Sequence, residues 1–334
     1  MRAALAEARR GLGLTSPNPA VGAVLVVRGK IVARGHHKRA GSPHAEIECL
    51  QSFESRIPER AVLYVTLEPC STTGRTGPCT DAIIRAGIKQ VVIGVTDPNP
   101  RHAGKGIAML RKEAIRVRAG VLADDCSILN EAYNKWIRTQ RPFIIAKCGM
   151  SLDGRLTAPP GETRWITSTT SRLHARRLRA QVDAILVGGG TLRSDNPRLT
   201  VRQRGAKQPW RIIVSYSGVF PKRARVFTDR YAERTLVYKS DLDLILRELG
   251  EKGITSVLVE GGGDLLGQLL DRRLIDKVQI YLGPCMVGGP VVGFSGKGAG
   301  STGEGVRLGE TRYEKIGPDV CIVGYPAGEA IRIE

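Results

Sequence analysis

The sequence predicts a protein of two α/β domains. At 334 residues the chain is about twice as long as a typical domain. Short apolar runs rich in β-branched residues alternate with amphipathic stretches in both halves, which is typical of sheets layered with helices. The polar segment Thr139-Gln140-Arg141-Pro142 interrupts this alternation before a new apolar run begins. We therefore predict one domain over residues 1–142 and a second over residues 143–334.

The first half is predicted to contain a hairpin followed by alternating helices and strands. An amphipathic helix over residues 1–10 precedes two short strands, 21–27 and 31–35, joined by the tight connection Arg28-Gly29-Lys30. Further helices are predicted over 45–52, 80–86, 106–112 and 124–138, and further strands over 61–66, 90–95 and 115–118. This order predicts a sheet covered by helices.

The second half repeats the α/β alternation and adds two glycine clusters. Strands are predicted over 143–148, 184–187 and 255–259, helices over 171–180 and 264–270, and a mobile glycine-rich loop over 288–305. Gly188-Gly189-Gly190-Thr191 and Glu260-Gly261-Gly262-Gly263 each follow a strand. Such turns often bind phosphate oxygens, but neither has the Gly-x-Gly-x-x-Gly spacing of a Rossmann site. A cofactor site and a plain turn both remain open for these clusters.

The net charge of +19 is spread evenly over the chain. Residues 1–142 hold 22 Lys and Arg against 12 Asp and Glu, and residues 143–334 hold 29 against 20. No basic tail is present in this sequence. An evenly basic surface fits phosphorylated small molecules, a basic proteome or weak nucleic-acid binding, and we favour the phosphorylated small molecules.

Cysteine usage and the apolar segments indicate the compartment. Seven cysteines without a regular spacing do not predict a disulfide framework, so a reducing environment is expected. Residues 1–10 lack the apolar core of a secretory signal, and no run approaches the ~18 apolar residues of a membrane span. We expect a cytoplasmic protein without a membrane partner.

A zinc site is predicted from three residues in the first half. His44-Ala45-Glu46 opens a predicted helix, Cys70 follows a predicted strand, and Cys79 precedes the next helix. Alone, each would be an ordinary surface or core residue. Together they match the zinc deaminase pattern, with the usual Cys-x-x-Cys expanded to Cys70-x₈-Cys79. One His and two Cys leave a fourth zinc position open, as in catalytic sites, and Glu46 would move protons to and from the attacking water.

The other histidines and cysteines carry no such pattern. Five cysteines are expected to be packing residues: Cys49, Cys126, Cys148, Cys285 and Cys321. The spacing of His36, His37 and His102 does not predict a metal site. His174 lies in a basic helix with Arg172, Arg176, Arg177 and Arg179. This face is expected to be solvated, although one of its arginines could bind a phosphate.

The chain resembles the bifunctional riboflavin-biosynthesis deaminase–reductase family over nearly its whole length. The expanded Cys70-x₈-Cys79 spacing distinguishes this family from tRNA adenosine and cytidine deaminases. The matching segments are residues 17–22, 40–46, 64–70, 74–79, 97–100, 151–155, 165–167 and 259–262.

This resemblance implies a fold and an activity for each half. The N-terminal domain would be a cytidine-deaminase-like three-layer α/β/α domain, which hydrolyses the 2-amino group of 2,5-diamino-6-(5-phosphoribosylamino)pyrimidin-4-one. The C-terminal domain would be a dihydrofolate-reductase-like α/β domain, in which NADPH reduces the ribosyl chain to give 5-amino-6-(5-phosphoribitylamino)uracil. The expected partner is therefore a phosphorylated pyrimidine and no nucleic acid, and a homo-oligomer is compatible with the sequence.

The resemblance also implies site residues. In the deaminase half, His44, Cys70 and Cys79 would hold Zn²⁺, Glu46 would be catalytic and Asn18 would contact the pyrimidine. Residues implied to bind NADPH are Gly149, Trp165, Thr191, Asp195, Gly261, Gly262, Gly263, Asp264 and Leu265. Residues implied to bind the second substrate are Lys147, Asp153, Thr163, Arg179, Leu199, Arg202 and Glu260. Arg179 and Arg202 suit a phosphate because a guanidinium can bind its oxygens in bidentate fashion.

Two departures from the family keep alternatives open. Thr72-Thr73 replaces a His pair, which changes the rim of the predicted pocket. Val214-Ser215-Tyr216 stands where the family commonly has a strand end that contains Asp, and the segment after Arg202 is shorter than usual, so cofactor contacts around Ser215 to Ser217 are undefined. One alternative is a nucleic-acid-binding base deaminase with a regulatory or scaffolding second domain. The sparse aromatic residues and the even charge speak against it.

Overall fold

The computed structural model describes residues 1–72, 77–157, 165–203 and 205–327, which form two compact units. The first comprises Met1–Gln140, and the second begins at Arg141. Thr163, a predicted substrate contact, lies outside the described residues, as do residues 73–76 between the two predicted cysteine ligands. None of the helices within the described ranges has the length and apolar character needed to cross a membrane.

In the first unit a five-stranded sheet lies between two layers of helices. The strand order is β2-β1-β3-β4-β5, with β1 antiparallel to β2 and β3, and with β3, β4 and β5 parallel. The strands are β1 (Gly22–Val27), β2 (Lys30–His36), β3 (Val62–Leu67), β4 (Gln90–Val95) and β5 (Arg116–Arg118). The helices are α1 (Arg2–Arg9), α2 (Ala45–Gln51), α3 (Cys79–Arg85), α4 (Lys105–Lys112), α5 (Ala123–Leu129) and α6 (Glu131–Thr139).

Separate apolar clusters cover the two faces of this sheet. On one face the strands pack against Cys49 of α2, Ile83 of α3 and Leu110 of α4, all fully buried. On the other face Leu5 of α1 and Cys126 of α5 share a smaller cluster with the ends of β3 and β4. Helices on both faces give the three-layer arrangement that the family resemblance implies.

The prediction of one helix over residues 124–138 is wrong, because Asn130 separates α5 from α6. The side chain of Asn130 is buried and bonds the backbone of Ala20 twice: the Ala20 N–H donates to Oδ1 at 2.8 Å, and Nδ2 donates to the Ala20 carbonyl at 3.0 Å. This pairing satisfies a buried amide and fixes the chain just before β1. Helical periodicity cannot indicate a contact between residues so far apart in sequence.

The second unit is built on an eight-stranded sheet of order β12-β13-β11-β6-β10-β7-β8-β9. The strands from β11 to β9 in this order run parallel, and β13 and β12 add an antiparallel edge. The strands are β6 (Phe143–Ser151), β7 (Ala184–Gly188), β8 (Trp210–Val214), β9 (Thr235–Tyr238), β10 (Ser256–Val259), β11 (Lys277–Gly283), β12 (Leu308–Ile316) and β13 (Asp319–Pro326). The helices are α7 (Thr169–Leu178), α8 (Gly189–Asp195), α9 (Arg225–Thr228), α10 (Leu242–Glu251) and α11 (Gly263–Asp271), with 3₁₀ turns at Ala232–Arg234 and Thr302–Glu304.

The glycine-rich stretch 288–305, predicted to be a mobile loop, is fastened to the rest of this unit at several points. The Gly288 N–H donates to Asp153 Oδ2 at 2.7 Å. A Cβ at Gly267 of α11 would lie only 1.0 Å from the carbonyl oxygen of Ser295. The stretch therefore lies directly on the backbone of α11, and a glycine is needed there for close packing.

A buried arginine joins several segments beside β8. Arg211 is 1% exposed and donates to Asp229 Oδ2 at 2.8 Å. It also donates to the backbone carbonyls of Arg198 at 3.2 Å, Val226 at 2.8 Å and Tyr231 at 2.5 Å. One side chain thus connects the segment after β8 with the loop that precedes Leu199.

We expect Arg211→Met to lower the free energy of unfolding of the second unit by about 3–5 kcal/mol, because it leaves a carboxylate and three carbonyls without their donor. Urea denaturation followed by tryptophan fluorescence measures this loss. The exposed Arg223 supplies a matched control, since Arg223→Met should change stability by less than about 0.5 kcal/mol. Equal effects of the two substitutions would contradict the prediction.

Candidate functional site

The three predicted zinc ligands come together at one end of the first sheet. His44 lies just before α2, Cys70 follows β3, and Cys79 is the first residue of α3. Nδ1 of His44 is 3.2 Å from Sγ of Cys79 and 3.6 Å from Sγ of Cys70. All three ligand atoms lie within 4.8 Å of one another. Residues from three separate segments thus present their donor atoms to one point.

This geometry fits a zinc ion. Zn–S bonds of about 2.3 Å and Zn–N bonds of about 2.0 Å in a tetrahedron require N–S separations of roughly 3.5 Å, close to the observed values. Two sulfurs and one imidazole are a donor set that zinc prefers. Within the described ranges no fourth His, Cys, Asp or Glu joins the group. The cluster therefore suits a catalytic zinc, which keeps one position for water or substrate.

The pKa shifts of the two thiols agree with a zinc site at this cluster. The pKa of Cys70 is lowered, first because its sulfur accepts a hydrogen bond from the Cys79 thiol, and further because of His44 and the Cys79 backbone N–H, 3.4 Å away. The pKa of Cys79 is raised by its hydrogen bond to Cys70 and by burial. Without a cation only one sulfur carries a charge, whereas a divalent ion would stabilise both thiolates.

Glu46 lies two residues beyond His44 and is 3% exposed. Burial, followed by the nearby charge of Cys70, raises the pKa of its carboxyl to about 7. A carboxyl that titrates near neutrality can both accept and return a proton, which is the requirement for general acid–base catalysis. The side chain of Glu46 also hydrogen-bonds Cys79, so it lies beside the metal ligands.

A cavity of about 530 Å³ opens onto this cluster, and its volume is typical of small-molecule sites. Its walls come from the Pro17–Pro19 loop, the loops after β3 and β4, and helix α6. Besides His44, Cys70 and Glu46, the polar residues that line it include Asn18, His37, Asp97, Asn99, His102 and Tyr133. The cavity can therefore bind a polar ring with hydrogen-bonding substituents.

His37 orients Asn18 in this cavity, a role that the sequence analysis did not find. Its Nδ1 lies 3.1 Å from the Pro43 carbonyl, which can only accept, so Nδ1 carries the proton. Burial lowers the pKa of His37, which favours the neutral ring. Nε2 is then an acceptor for Asn18 Nδ2, 3.3 Å away. This contact leaves Oδ1 of Asn18 as the acceptor available to a ligand.

The loop after β4 forms another wall that the sequence analysis left unassigned. Asp97 Oδ1 accepts from the Asn99 N–H at 2.9 Å and from the Tyr133 hydroxyl at 3.3 Å. Glu68 fastens this loop by accepting from the N–H groups of Asp97 at 3.1 Å and Gly104 at 2.9 Å. The available signal was topological: loops after neighbouring parallel strands meet at one edge of a sheet.

In the second unit, Glu260 follows β10 and is paired with Arg179 at the end of α7. Arg179 donates from Nε to Oε1 at 2.6 Å and from Nη2 to Oε2 at 2.8 Å. Burial alone would raise the pKa of Glu260, but the charge of Arg179, with smaller contributions from Lys147 and Arg176, holds it below its usual range. The carboxylate of Glu260 is thus surrounded by three cationic side chains, those of Arg179, Lys147 and Arg176.

In the turn after Glu260, the free space beside the backbone differs among the three glycines. Gly261 has φ +115°, and the space where a Cβ would stand is open within 4 Å. The Gly262 N–H donates to Thr191 Oγ1 at 2.9 Å, which joins the two predicted glycine clusters. At Gly263, in contrast, a Cβ would lie 2.1 Å from the Val292 carbonyl oxygen. Gly261 can therefore face a ligand, whereas Gly262 is held by Thr191 and Gly263 is required by packing.

Three residues of the predicted second site have side chains engaged elsewhere. Asp264 accepts a hydrogen bond from Ser295 Oγ at 2.6 Å. Leu265 is 5% exposed and Leu199 is 2% exposed, and each packs in an apolar cluster of the second unit. Contacts of the two leucines with a ligand would have to come from their backbones.

Trp165 and Gly149 offer surfaces for a flat ligand. The Trp165 ring is 70% exposed, and the guanidinium of Arg172 lies 4.9 Å from its centre. Gly149 is on β6, where a Cβ would come within 3.2 Å of the Thr167 side chain. A bulkier residue at position 149 would therefore press on the segment that follows Trp165.

The other residues predicted for the second site differ in their hydrogen bonds and in their exposure to solvent. Asp153 accepts from Ser151 Oγ at 2.5 Å and from two backbone N–H groups of the loop after β11, and these bonds lower its pKa to about 2. It therefore acts here as a loop anchor. Lys147 is half-buried on β6, whereas Asp195, at the end of α8, and Arg202 are exposed.

Comparisons with known proteins match both units. The model of the cytidine and deoxycytidylate deaminase zinc-binding region matches residues 1–95, and that of the RibD C-terminal domain matches residues 142–322. Riboflavin biosynthesis protein RibD of Bacillus amyloliquefaciens is 38% identical, over 98% of this chain and 95% of that protein. The Escherichia coli K12 protein of the same name is also 38% identical, over 96% and 97%.

Solved structures agree with these matches. The Thermotoga maritima diaminohydroxyphosphoribosylaminopyrimidine deaminase/5-amino-6-(5-phosphoribosylamino)uracil reductase has a TM-score of 0.88 at 35% identity, covering 98% of this chain and 97% of that chain. Acinetobacter baumannii RibD has a TM-score of 0.87 at 31% identity, covering 97% of each. The cytidine-deaminase-like first domain and dihydrofolate-reductase-like second domain are confirmed, and a nucleic-acid-binding deaminase gains no support.

We expect the protein to bind one zinc ion per chain through the first unit. Replacing Cys70 or Cys79 by Ser should weaken zinc binding by more than ~100-fold, because each removes a thiolate ligand. Metal analysis after dialysis against a competing chelator measures this. Cys285→Ser, which changes a half-buried thiol of the second unit, is the control and should keep its zinc. Zinc retained by both ligand variants would exclude this cluster as the site.

Proposed function

The chain belongs to the RibD family of riboflavin-biosynthesis enzymes, and on that premise we propose that its domains catalyse two consecutive reactions. Residues 1–142 would hydrolyse the 2-amino group of 2,5-diamino-6-(5-phosphoribosylamino)pyrimidin-4-one. Residues 143–334 would then reduce the ribosyl chain with NADPH, giving 5-amino-6-(5-phosphoribitylamino)uracil. The observation that carries the proposal is the cluster of His44, Cys70 and Cys79 beside a buried Glu46 in a chain that also has the reductase domain.

In the deaminase site the protein would supply the metal ligands and a proton carrier. His44, Cys70 and Cys79 would hold zinc, which when bound supplies the Lewis acidity that makes a water nucleophilic near neutral pH. Glu46 would accept one proton from the attacking water and deliver it to the ring nitrogen, and would then carry the proton of the added hydroxyl group to the departing amino group, which leaves as ammonia. Its burial and its pKa near 7 support this double role.

Asn18 would hold the pyrimidine in register with Glu46. Its Oδ1 can accept a hydrogen bond from the ring because His37 occupies its Nδ2. His37 is in turn fixed by the Pro43 carbonyl, one residue before the zinc ligand His44. Hydrogen bonds from the pyrimidine to Asn18, from Asn18 to His37, and from His37 to the residue before His44 would hold the amino-bearing carbon of the ring near the metal ligands.

In the reductase site NADPH, when bound, supplies the hydride for C1′ of the ribose. We propose that the cofactor contacts Trp165, Gly149, Thr191, Asp195 and the turn from Gly261 to Leu265. Gly261 suits this role best because the space beside its backbone is open, and the bond from the Gly262 N–H fixes Thr191 beside it. Glu260 and Lys147 would bind ribose oxygens, and Arg179 and Arg202 would bind the phosphate. Asp153 would act through the loop that it anchors.

We also propose a cytoplasmic location. The Cys70 and Cys79 thiols must stay reduced to bind zinc, and all seven cysteines are free thiols. NADPH-dependent reduction likewise requires a compartment that maintains this cofactor.

The two activities should be separable by substitution. With zinc and NADPH, the purified protein should release ammonia from the diaminopyrimidine phosphate and oxidise NADPH. Glu46→Gln should lower ammonia release by about 10²–10⁴-fold while leaving NADPH oxidation with the deaminated substrate unchanged. Glu260→Gln should lower NADPH oxidation and leave ammonia release unchanged. Glu48→Gln, a neighbour of Glu46 paired with Lys38, serves as the control. Absence of ammonia release or of NADPH oxidation in the unaltered protein would refute the corresponding half.

His37→Ala should lower kcat/KM of deamination by about 10–100-fold, because Asn18 loses the contact that orients its amide. Zinc content should not change, since His37 is not a ligand. His36→Ala is the matched control, because the neighbouring imidazole points toward Glu7, 3.7 Å away, instead of the cavity. Indistinguishable rates for the two variants would remove His37 from the site.

A further inference from the structure

The hairpin of β12 and β13 carries a buried carboxylate that binds the residue before α7. Asp319 is the first residue of β13 and is 1% exposed. Its Oδ2 accepts two hydrogen bonds from Ser168, one from the backbone N–H at 2.8 Å and one from the hydroxyl at 2.7 Å. Hydrogen bonds to an ionised acceptor are stronger than those between neutral groups. The hairpin is therefore fastened to one residue that precedes it by 151 positions.

Ser168 lies between Trp165, a proposed NADPH contact, and helix α7. It is the N-cap of α7, and its Oγ accepts from the Ser171 N–H at 3.3 Å. The Ser168 hydroxyl donates its hydrogen to Asp319, so the lone pairs of Oγ are left to accept from the helix. Asp319 thus fixes the residue at which α7 begins and the segment from Trp165 ends.

Arg172 connects the start of α7 to Trp165. Its backbone N–H donates to the Ser168 carbonyl at 3.1 Å, which closes the first turn of the helix. Its Nη1 donates to the Thr167 carbonyl at 2.5 Å, and its guanidinium lies 4.9 Å from the centre of the Trp165 ring. The ring is 70% exposed. A displacement of Ser168 would therefore move the guanidinium that covers this exposed ring.

The opposite end of α7 is held by other contacts. Arg179 binds both carboxylate oxygens of Glu260 and donates to the Thr200 carbonyl at 3.2 Å. These bonds do not involve Ser168 or Asp319. Loss of the bonds between Asp319 and Ser168 should therefore disturb the Trp165 end of the helix more than the Glu260 end.

We infer that Asp319 is a positioning residue for NADPH binding, because through Ser168 and Arg172 it holds the Trp165 ring in the orientation that receives the cofactor. Its carboxylate is buried against Ser168, so it acts on the cofactor through that residue. The inference rests on the proposed function, since it assumes that Trp165 contacts NADPH. It adds Asp319, to which neither the family resemblance nor the sequence pattern assigned a role.

Asp319→Ala should raise the Kd for NADPH by about 10–100-fold, because Ser168 loses both bonds to a charged acceptor. Calorimetric titration of the full chain with NADPH alone measures this. At saturating NADPH, KM for 5-amino-6-(5-phosphoribosylamino)uracil should stay within about twofold, since Arg179 and Glu260 are held separately. Asp319→Asn keeps one acceptor oxygen and should recover part of the loss. If Asp319→Ala does not fold, the same comparison is made with Asp319→Asn.

A double-mutant cycle with Trp165 separates positioning from a general structural role. In a Trp165→Ala background, Asp319→Ala should change the Kd for NADPH by less than about twofold, because the ring through which Asp319 acts is already absent. Equal losses in both backgrounds, or an equal rise in KM for the second substrate, would overturn the inference. Glu314→Ala is the matched control, because Glu314 is an exposed acidic residue of the same hairpin, and its Kd for NADPH should not change.

Failure of the proposed function gives a different result, namely no NADPH oxidation by the unaltered protein with the phosphorylated substrate. Intact NADPH oxidation together with an unchanged Kd for NADPH in the Asp319→Ala variant would reject the positioning role alone. An unchanged Kd in the Trp165→Ala variant would also reject it, because the ring would then take no part in cofactor binding.

Discussion

Two cysteine sulfurs and an imidazole nitrogen held within 4.8 Å are the constraint on which the first domain depends. Such a group is stable in a half-buried setting when a divalent cation balances both thiolates. The fold supplies the three ligands from elements that only the sheet brings together: the end of β3 and the starts of α2 and α3. Thr80 strengthens the arrangement by donating its backbone N–H and its hydroxyl to the Cys70 carbonyl, at 3.2 and 3.3 Å. The order β1-β3-β4 then places the loops with Asn18, Cys70 and Asn99 around one cavity.

The second domain applies the same topological rule with different chemistry. The carboxyl ends of its parallel strands meet at one edge, where Glu260 follows β10, Gly188 ends β7 and Lys147 lies on β6. Here the central interaction is the bidentate pair of Arg179 and Glu260, which fixes a carboxylate in an otherwise cationic region. Each domain thus carries a glutamate, buried at position 46 and partly buried at position 260, whose neighbours determine its protonation. Burial raises the pKa of Glu46 to about 7, whereas cations lower that of Glu260. Opposite shifts suit a proton carrier in one domain and a fixed hydrogen-bond acceptor in the other.

Local pattern predicted much of the fold, and its failures have a common physical cause. Strand β4 has the predicted bounds, α2 ends one residue earlier than predicted, and α3 begins and ends one residue earlier, because apolar periodicity and the positions of Pro and Gly determined them. The break at Asn130 was missed because it depends on hydrogen bonds with Ala20, 110 residues away. Residue type and spacing placed His44, Cys70 and Cys79, since metal ligands must be these types. They could not place His37, whose role comes from two contacts made in the folded chain, nor show that the side chains of Leu199 and Leu265 face the core.

The positively charged side chains have more distinct roles than their even distribution along the sequence indicates. Along α7 the arginines differ in what they contact: Arg172 lies over an aromatic ring, Arg179 holds Glu260, and Arg177 faces solvent. Charges that look alike in the sequence thus divide into stacking, pairing and solvated groups, which only the three-dimensional contacts distinguish. Arg176 is half-buried, and its pKa is lowered by burial first and then by the charges of Arg202, Arg179 and Arg172. A substrate that carries the same phosphate through both reactions would be attracted by the positive potential of either domain, and added salt would screen that attraction.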